Sequence, residues 1–388
     1  IGEGISDSAD MTFTAERRTI EEIIASDLTR DRGRMRRLEQ SNDYMGRFLT
    51  ELEENVVGGS GFRFQSQVMR SNGDFNKPVN DKLEEAWKLQ RTADNYTVEG
   101  EHSGMDETAA DKLILRSVAR DGFCFVMLHE NFENETGFAI QIIQGDILDH
   151  ELCSSTSYGG NRITNGVEID GWGRVLAYHI WSTRGGEASI DGKHRRIPSD
   201  SMIFPFKRDR IGQMVGLPWA KSVMETLHGL DKYEEAELAA AREMACKALF
   251  FEQDVENPIG DLNEEDLSGE IYPGMSELLP PGVRATPYDP THPNGNYQTY
   301  RSGVLMRAAS GLNMSYQSLS GDLSGGNFAS QRVGLLDERE IWKGYQNWYI
   351  AAVKKRIYKR WLRTSKLRIA GIPQSFRLDD LNFPVFRG

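Results

Sequence analysis

Seven histidines are the first candidates for metal or general-base chemistry: His102, His129, His150, His179, His194, His228 and His292. Each stands alone. None makes an HxxxH or HExxH spacing, which would set two imidazoles on one helical face around a metal. The three cysteines, Cys124, Cys153 and Cys246, form no Cys–His pair at metal spacing and are too scattered for a disulfide framework. A reducing, intracellular compartment is therefore the default expectation. Gly186 to Lys193 approaches a phosphate-cradling loop, but its spacing is wrong and no Ser or Thr follows the lysine. No GxSxG elbow and no Rossmann glycine pattern follows a strand. Carboxylate pairs are plentiful, yet nothing marks one as buried, so acid–base catalysis has no support in the residue order. No catalytic residue, metal or cofactor is expected.

The remaining chemistry is charge and hydrogen bonding. Between Glu252 and Asn296, ten acidic residues face one basic residue, Arg284, in 45 positions that also hold seven prolines. Asp261, Glu264, Glu265, Asp266 and Glu270 crowd its middle. Such a run suits a basic partner surface, or a divalent cation, although it lacks an EF-hand pattern. Its prolines argue against a helix, Glu270 to Leu279 reads as a short strand pair, and its apolar residues favour a compact lobe over a linker.

Two basic clusters stand out elsewhere. Arg30, Arg32, Arg34, Arg36 and Arg37 read as a solvated face or as an anion or partner contact. Lys354, Lys355, Arg356, Lys359, Arg360, Arg363, Lys366 and Arg368 close a long helix, where cations either complement the dipole or bind an anion. Ser318, Ser320, Ser324, Asn327 and Ser330 are uncharged hydrogen-bonding residues within Ser315–Arg332. That segment is rich in Ser and Gly with little to bury, and it reads as a glycine-hinged, flexible loop.

The elements that must position these groups follow from periodicity. Residues 14 to 57 read as helical, with a break near Gly33. The glycines of Asn55–Gln65 force a turn before an alternating Phe62/Phe64 strand. Glu107–Arg120 reads as a helix, followed by the strands FCFVMLHE and AIQIIQGDIL. Gly166–Trp181 is a hairpin around Asp170-Gly171. A strand at Ser201–Phe206 leads into a helix entered through Pro218 and running to about Phe251. Apolar or small residues recur along it at Val223, Leu227, Leu230, Leu238, Ala241, Ala245 and Leu249. After the acidic lobe, Tyr297–Leu312 is helical, and Ser330 to about Ser365 forms a long helix with an aromatic stripe of Trp342, Tyr345, Trp348, Tyr349 and Trp361. The fold class expected is α+β with antiparallel pairing in the first 215 residues.

At 388 residues the chain can hold two or three domains with sizeable cores. Its net charge of −12 argues against a protein that coats nucleic acid, though not against one that lets DNA pass without gripping it. No run of 18 apolar residues exists, so no transmembrane helix is expected. Because the first residue is Ile1, an N-terminal part is expected to be missing, and Gly388 also reads as a cut.

Four separated blocks carry a resemblance. They are DRGRMRRLEQSNDYMGRFLTELEENVVGGSGFRFQ, NGVEIDGWGRVLAYHIW, RIGQMVGLPWAKSVMETLHGLDKYEEAELAAAREMACKALF, and LLPPGVRATPYDPTHPNGNYQTYRSGVLMRAASGLNMSYQSLSGDLSGGNFASQRVGLLDERE. In this order they resemble the portal proteins of tailed bacteriophages, the lambda-like family. The run from Leu305 through Ser315-Tyr316 and Gly321-Asp322 to Ser330-Gln331-Arg332 is the most specific part.

The resemblance implies a portal-type subunit: a mixed α/β wing over 1–216, a first stem helix over 217–250, and a small clip over 251–296. A second stem helix over 297–313, a tunnel loop over 314–328, and a long helix of the wing and start of the crown over 329–388 would follow. It implies a closed ring of about twelve copies at one capsid vertex, through which the terminase motor pumps double-stranded DNA. Retention and later ejection through the head-tail connector would follow. Implied partners are the terminase large subunit, a head-tail adaptor, and the major capsid and scaffold proteins, with no membrane. The expected location is the virion, after assembly in the host bacterial cytoplasm.

By this resemblance the tunnel loop contributes Ser318, Ser320, Asp322, Ser324, Asn327, Ser330, Gln331 and Arg332. Lys232, Arg301 and Arg307 are candidates for the channel-facing stem, and Asp261, Glu264, Glu265, Asp266 and Glu270 for terminase docking. The charge fits independently, since each phosphate neutralised by a channel wall adds affinity and hence drag. Two rivals stand beside this reading: a metal-dependent nuclease or hydrolase using the acidic 252–296 lobe, and a monomeric protein-binding adaptor.

Overall fold

The computed structural model describes residues 18–157, 161–184, 187–188, 194–245, 249–253, 283–287, 296–324, 328–366, 368–369 and 377–387. They divide into two compact units: one holds the residues up to Glu225 and from Ala308 onward, the other Thr226–Arg307.

The first unit opens with helices α1 (Ile20–Ser41) and α2 (Asp43–Val56), strand β1 (Arg63–Ser66) and helix α3 (Lys77–Gln90). Single-turn helices α4 (Ala93–Tyr96) and α5 (Gly100–Ser103) then lead to α6 (Glu107–Asp121). Strands β2 (Cys124–Glu130), β3 (Phe138–Gln144), β4 (Ser154–Ser157), β5 (Asn161–Thr164), β6 (Val167–Ile169) and β7 (Val175–Trp181) follow. The short β8 (Thr183–Arg184), β9 (Glu187–Ala188), β10 (His194–Pro198) and β11 (Met202–Ile203) complete the run. The sheet orders are β10-β7-β6-β5-β4 and β11-β2-β3, and every paired strand among the described residues is antiparallel, as expected.

The helix caps explain the boundaries. Thr19 and Glu22 form a reciprocal capping box at the start of α1. The break expected near Gly33 lies instead at Asn42. Its side chain accepts from the Met45 N–H at 2.9 Å and starts a new helix, whereas Gly33 sits inside α1. The Asp170-Gly171 turn is present: the Asp170 carboxylate accepts from the Trp172 and Arg174 N–H groups, both at 2.9 Å, and Gly173 takes a φ of 79°. At Gly122, a Cβ would meet the Gly216 carbonyl oxygen at 2.6 Å, so the two chain segments cross only because both are glycine.

One core joins Ile24 and Leu28 of α1 to Phe123, Phe125, Ile143, Val167, Ile180 and Phe204. Of the arginine cluster of α1, Arg30, Arg34 and Arg37 are exposed, as a solvated face expects, whereas Arg32 and Arg36 turn inward. Arg32 is buried, donates to the Asp121 carbonyl at 2.8 Å and stacks over Phe123. Arg36 bridges Asp121 and Asp146 at 2.8 and 2.5 Å. These arginines tie α1 to the end of α6.

Helix α7 runs Met224–Ala245, shorter at both ends than the expected 217–250. Pro218 does not open it, because the Trp219 N–H is drawn to the Ala119 carbonyl and residues 218–223 close as successive turns. Beyond it, Leu249–Gln253 is strand β12, paired with β13 (Val283–Pro287) from Leu249↔Pro287 to Gln253↔Val283. The Leu-Phe-Phe run reads as well in a strand as on a helical face, and pairing decides it. The strand pair expected at Glu270–Leu279 lies outside the described residues, as does Cys246. Helix α8 (Tyr297–Gly311) ends the excursion.

The chain then passes α9 (Tyr316–Ser320) and α10 (Phe328–Tyr349), widens to a π turn at Ile350–Lys354, and continues as α11 (Lys355–Ser365). Helix α12 (Leu378–Leu381) and strand β14 (Pro384–Arg387) close it, and β14 pairs with β1, far away in sequence. Between them Phe64, Trp87, Tyr358, Trp361 and Phe386 form an aromatic core with centroids 4.9 to 6.1 Å apart in neighbouring pairs.

Lys354 corrects another expectation. It does not belong to the basic end of the helix but is fully buried, donating to Glu107 Oε1 at 2.5 Å, Asp111 Oδ2 at 2.7 Å and Tyr96 Oη at 3.3 Å. Arg91 reaches the other Glu107 oxygen at 2.9 Å, and Tyr349 donates to Asp111 Oδ1 at 2.9 Å. The π turn swings Lys354 inward into this cluster. Replacing Lys354 by Met leaves buried carboxylate charge uncompensated, so unfolding in urea is expected to become easier by about 3–5 kcal/mol. A loss below about 1 kcal/mol contradicts the role of the cluster.

Glu168 on β6 is similarly committed. Arg196 donates to both its oxygens, at 2.6 and 3.0 Å, with Asn161 at 2.8 Å and His179 at 3.2 Å. The Arg196 guanidinium first, and the other donors after it, hold its carboxyl down to about 2. A lowered acid stabilises the fold above its ordinary pKa and loses that contribution as pH falls towards 2. Glu168→Gln is therefore expected to be less stable than the parent at pH 5 and above, with the gap closing between pH 4.5 and 2. Denaturant unfolding across that range checks this, and a gap independent of pH refutes it.

Candidate functional site

The segment singled out as a flexible loop is, in its first half, a folded turn. Ser315 caps α9: its hydroxyl accepts from the Ser318 N–H at 3.1 Å. Leu319 is completely buried, and Gly321 ends the helix in the left-handed conformation at φ 72°. The expectation of little to bury fails on that one leucine, which gives a five-residue helix an anchor. Two distant side chains clamp it. Arg47 of α2 donates to the Ser318 carbonyl. Buried Glu338 of α10 accepts from the Ser318 hydroxyl at 2.8 Å and from the Ser315 N–H at 3.4 Å.

The hydroxyls of Ser318 and Ser320 are therefore engaged in holding the turn. Ser320 donates to the Tyr316 carbonyl at 2.7 Å and accepts from the Asp322 N–H at 3.1 Å. Asp322 accepts from the Ser324 N–H and hydroxyl at 2.9 and 2.6 Å, and from the Tyr316 hydroxyl at 3.2 Å. Ser324 is exposed. Asn327 lies outside the described residues; Ser330, Gln331 and Arg332 fall on the first turns of α10, where Arg332 is exposed.

In the second unit, Lys232 of α7 is exposed and pairs with Glu235 at 2.7 Å, holding that carboxyl below its ordinary value. Arg301 of α8 donates to Glu234 at 3.0 Å, beside a Tyr233–Tyr297 stack with centroids 6.0 Å apart. Arg307 is exposed. Lys232 and Arg301 are thus locally neutralised, which weakens any grip on an anion. Asp261, Glu264, Glu265, Asp266 and Glu270 lie outside the described residues. Among the described residues no three His, Cys, Asp or Glu side chains converge as a cation site, and no helix is long and apolar enough to cross a membrane.

Sequence reasoning missed Arg47 and Glu338, the two residues that hold the segment. Nothing local marks them, because each is an ordinary charged residue on an amphipathic helix. The Ser315 cap was legible in principle, as a serine directly before Tyr316-Gln317-Ser318-Leu319.

The model of the family described as "Phage portal protein, lambda family" matches residues 7–346. A curated relative, the probable portal protein of Halomonas phage phiHAP-1, is 33% identical over 347 residues. The match takes in 86% of this chain and 66% of that protein, so the chain spans just under two thirds of its relative's length. Among solved structures, a chain in the neck of an empty gene transfer agent particle, computed with C6 symmetry, is similar. It superposes with a TM-score of 0.54 at 12% identity, covering 92% of this chain and 87% of that one. A chain from the neck of the native particle, computed with C12 symmetry, gives 0.49 at the same identity and covers 92% and 85%. The structural likeness is one of fold; the family match extends through α9, Glu338 and most of α10. This chain belongs to the lambda family of phage portal proteins.

Proposed function

We propose that the chain is the subunit of a closed ring of about twelve copies, a structural conduit through which double-stranded DNA enters and leaves a capsid at one vertex. The observation that carries the reading is the family match over 7–346, supported by the 33% identity to a probable portal protein. The ring works without a catalytic centre of its own. Packaging energy comes from a terminase, and the ring holds DNA until it leaves through a head-tail adaptor. Capsid and scaffold proteins surround it in the virion, after assembly in the host bacterial cytoplasm.

Within this reading, residues 1–216 serve as the wing, α7 and α8 as stem helices within 217–250 and 297–313, 251–296 as the clip, 314–328 as the tunnel loop, and 329–388 as the long helix leading to the crown. The division into two compact units supports this, since the second is an excursion bounded by α7 and α8. The acidic clip residues Asp261, Glu264, Glu265, Asp266 and Glu270 dock the terminase, with charge aiding encounter and register. The net charge of −12 on every copy keeps the walls from gripping phosphate. Lys232, Arg301 and Arg307 supply weak contacts at most, because Lys232 and Arg301 already pair with glutamates. No observation favours the hydrolase or adaptor readings, and most of their acidic segment lies outside the described residues.

The tunnel segment is anchored at one side by Arg47 and Glu338, so its DNA-facing part begins near Asp322 and extends to Arg332. Deleting Ser320–Asn327 from the portal of the intact phage is expected to leave ring assembly unchanged while sharply lowering the yield of DNA-filled heads. The readouts are portal content and packaged DNA per particle. Normal packaging with the deletion in place defeats the assigned role.

A further inference from the structure

An asparagine followed by glycine is open to attack on its side-chain amide by the next main-chain nitrogen, because glycine has no Cβ to block the approach. The sequence holds three such pairs, Asn72-Gly73, Asn165-Gly166 and Asn294-Gly295. The third lies outside the described residues. The first two sit in opposite surroundings.

Asn72 stands at the tip of a small hairpin. Met69 and Phe75 bridge antiparallel, and the Arg70 N–H donates to the Asp74 carbonyl at 2.7 Å, which leaves Ser71, Asn72 and Gly73 as the loop. All three are exposed, Gly73 takes a φ of 86°, and a Cβ on it would meet nothing within 4 Å. Asn72 Oδ1 accepts from the Asp74 N–H at 3.1 Å, and its Nδ2 donates to Asp74 Oδ2 at 2.7 Å. The first of these bonds spans the Gly73 peptide and so keeps the Asn72 amide carbon beside the Gly73 nitrogen. The same N–H points at the oxygen on which negative charge develops during attack. The Gly73 N–H donates to the Arg70 carbonyl at 3.0 Å, a bond at an exposed loop tip, where local opening costs least.

Asn165 is fully buried, and its Nδ2 donates to the Glu21 and His150 carbonyls at 3.1 and 3.0 Å. The Gly166 N–H donates to the Leu152 carbonyl at 2.9 Å, and the Gly166 carbonyl accepts from the His179 N–H at 2.8 Å. A Cβ on Gly166 would meet the Asp149 carbonyl oxygen at 2.5 Å. Turning this peptide towards its side chain therefore breaks several bonds at once and runs into main chain.

We infer that Asn72 is a site of spontaneous deamidation in the folded protein, and that the fold protects Asn165 from the same reaction. The Gly73 nitrogen gives up its proton to water and bonds to Asn72 Cγ. The Cγ–Nδ2 bond breaks, and the amide nitrogen leaves as ammonia. A second water opens the cyclic imide at either carbonyl, leaving aspartate or isoaspartate at position 72. Either product sets a carboxylate against that of Asp74 where an amide had donated, so attraction at the tip becomes repulsion. The reaction needs no partner beyond water.

The folded protein is incubated at mildly alkaline pH and sampled over time. Mass spectrometry of the peptides carrying each pair reads the acid formed, and enzymatic methylation reports isoaspartate. Asn72 is expected to convert at least about tenfold faster than Asn165, the ratio given by an opening cost about 1.4 kcal/mol lower at the tip. In concentrated urea the two should convert at similar rates, because the fold alone separates them. Asn72→Gln should abolish the acidic product at that peptide and leave Asn165 unchanged, since the longer side chain closes a less favourable ring. Similar rates at the two sites in the folded protein, or an Asn72 that converts only after unfolding, overturn the inference. So does protection of Asn165 that persists in urea, which assigns the difference to neighbouring residues and not to the fold.

Discussion

One ammonium group holds the first unit together across most of the chain. Lys354 Nζ sits fully buried between Glu107 and Asp111, within hydrogen-bond reach of Tyr96. The chain leaves this unit at Glu225 and returns at Ala308, so whatever follows the excursion must be fastened to what precedes it. Desolvation opposes the charge on Lys354, and the two carboxylates more than offset it, so its pKa is raised. Replacing such a cluster with apolar side chains is often neutral for stability. Its value here is register: a π turn places one lysine against two acids one helical turn apart on α6. A slip of one residue along α10 and α11 would take Lys354 from both acids, leaving Asp111 without a cation and Glu107 with Arg91 alone. The aromatic core of Trp87, Tyr358 and Trp361 and the β1–β14 pairing then fall into place on the same helix.

Charge is spent differently in different parts of the molecule. Arg32 and Arg36 of α1 and Arg116 and Arg120 of α6 are paired with Glu39, Glu53, Asp121 and Asp146 within the first unit. In the second unit Lys232 and Arg301 are matched by glutamates. The negative excess therefore remains for the outside world, which suits the proposed role of a wall past which a polyanion slides.

Much of this fold was legible in the residue order. The hairpin at Asp170, the α6–β2–β3 run and the helices α7 and α8 follow from periodicity and turn chemistry, although α7 is shorter than expected. Three features were not. The break at Asn42 was hidden because Gly33, the more obvious breaker, is tolerated inside a helix whose other face is buried. The Ser/Gly segment read as loose because its anchor is one leucine and its clamps, Arg47 and Glu338, come from remote helices. Lys354 read as one of a row of surface cations, since only the π turn removes it from that row. Of the candidate site, the position of a Ser/Gly-rich segment before a long helix was readable from composition and periodicity, but the satisfaction of its hydroxyls was not.

The central claim is that identical acidic subunits close around a hole that passes duplex DNA. Electron micrographs of the purified protein, averaged along the view of highest symmetry, test it most directly. The account predicts ring-shaped particles with rotational symmetry of about twelve and a central opening wider than a DNA duplex. Particles without rotational symmetry, or rings whose centre is closed to a duplex, contradict it.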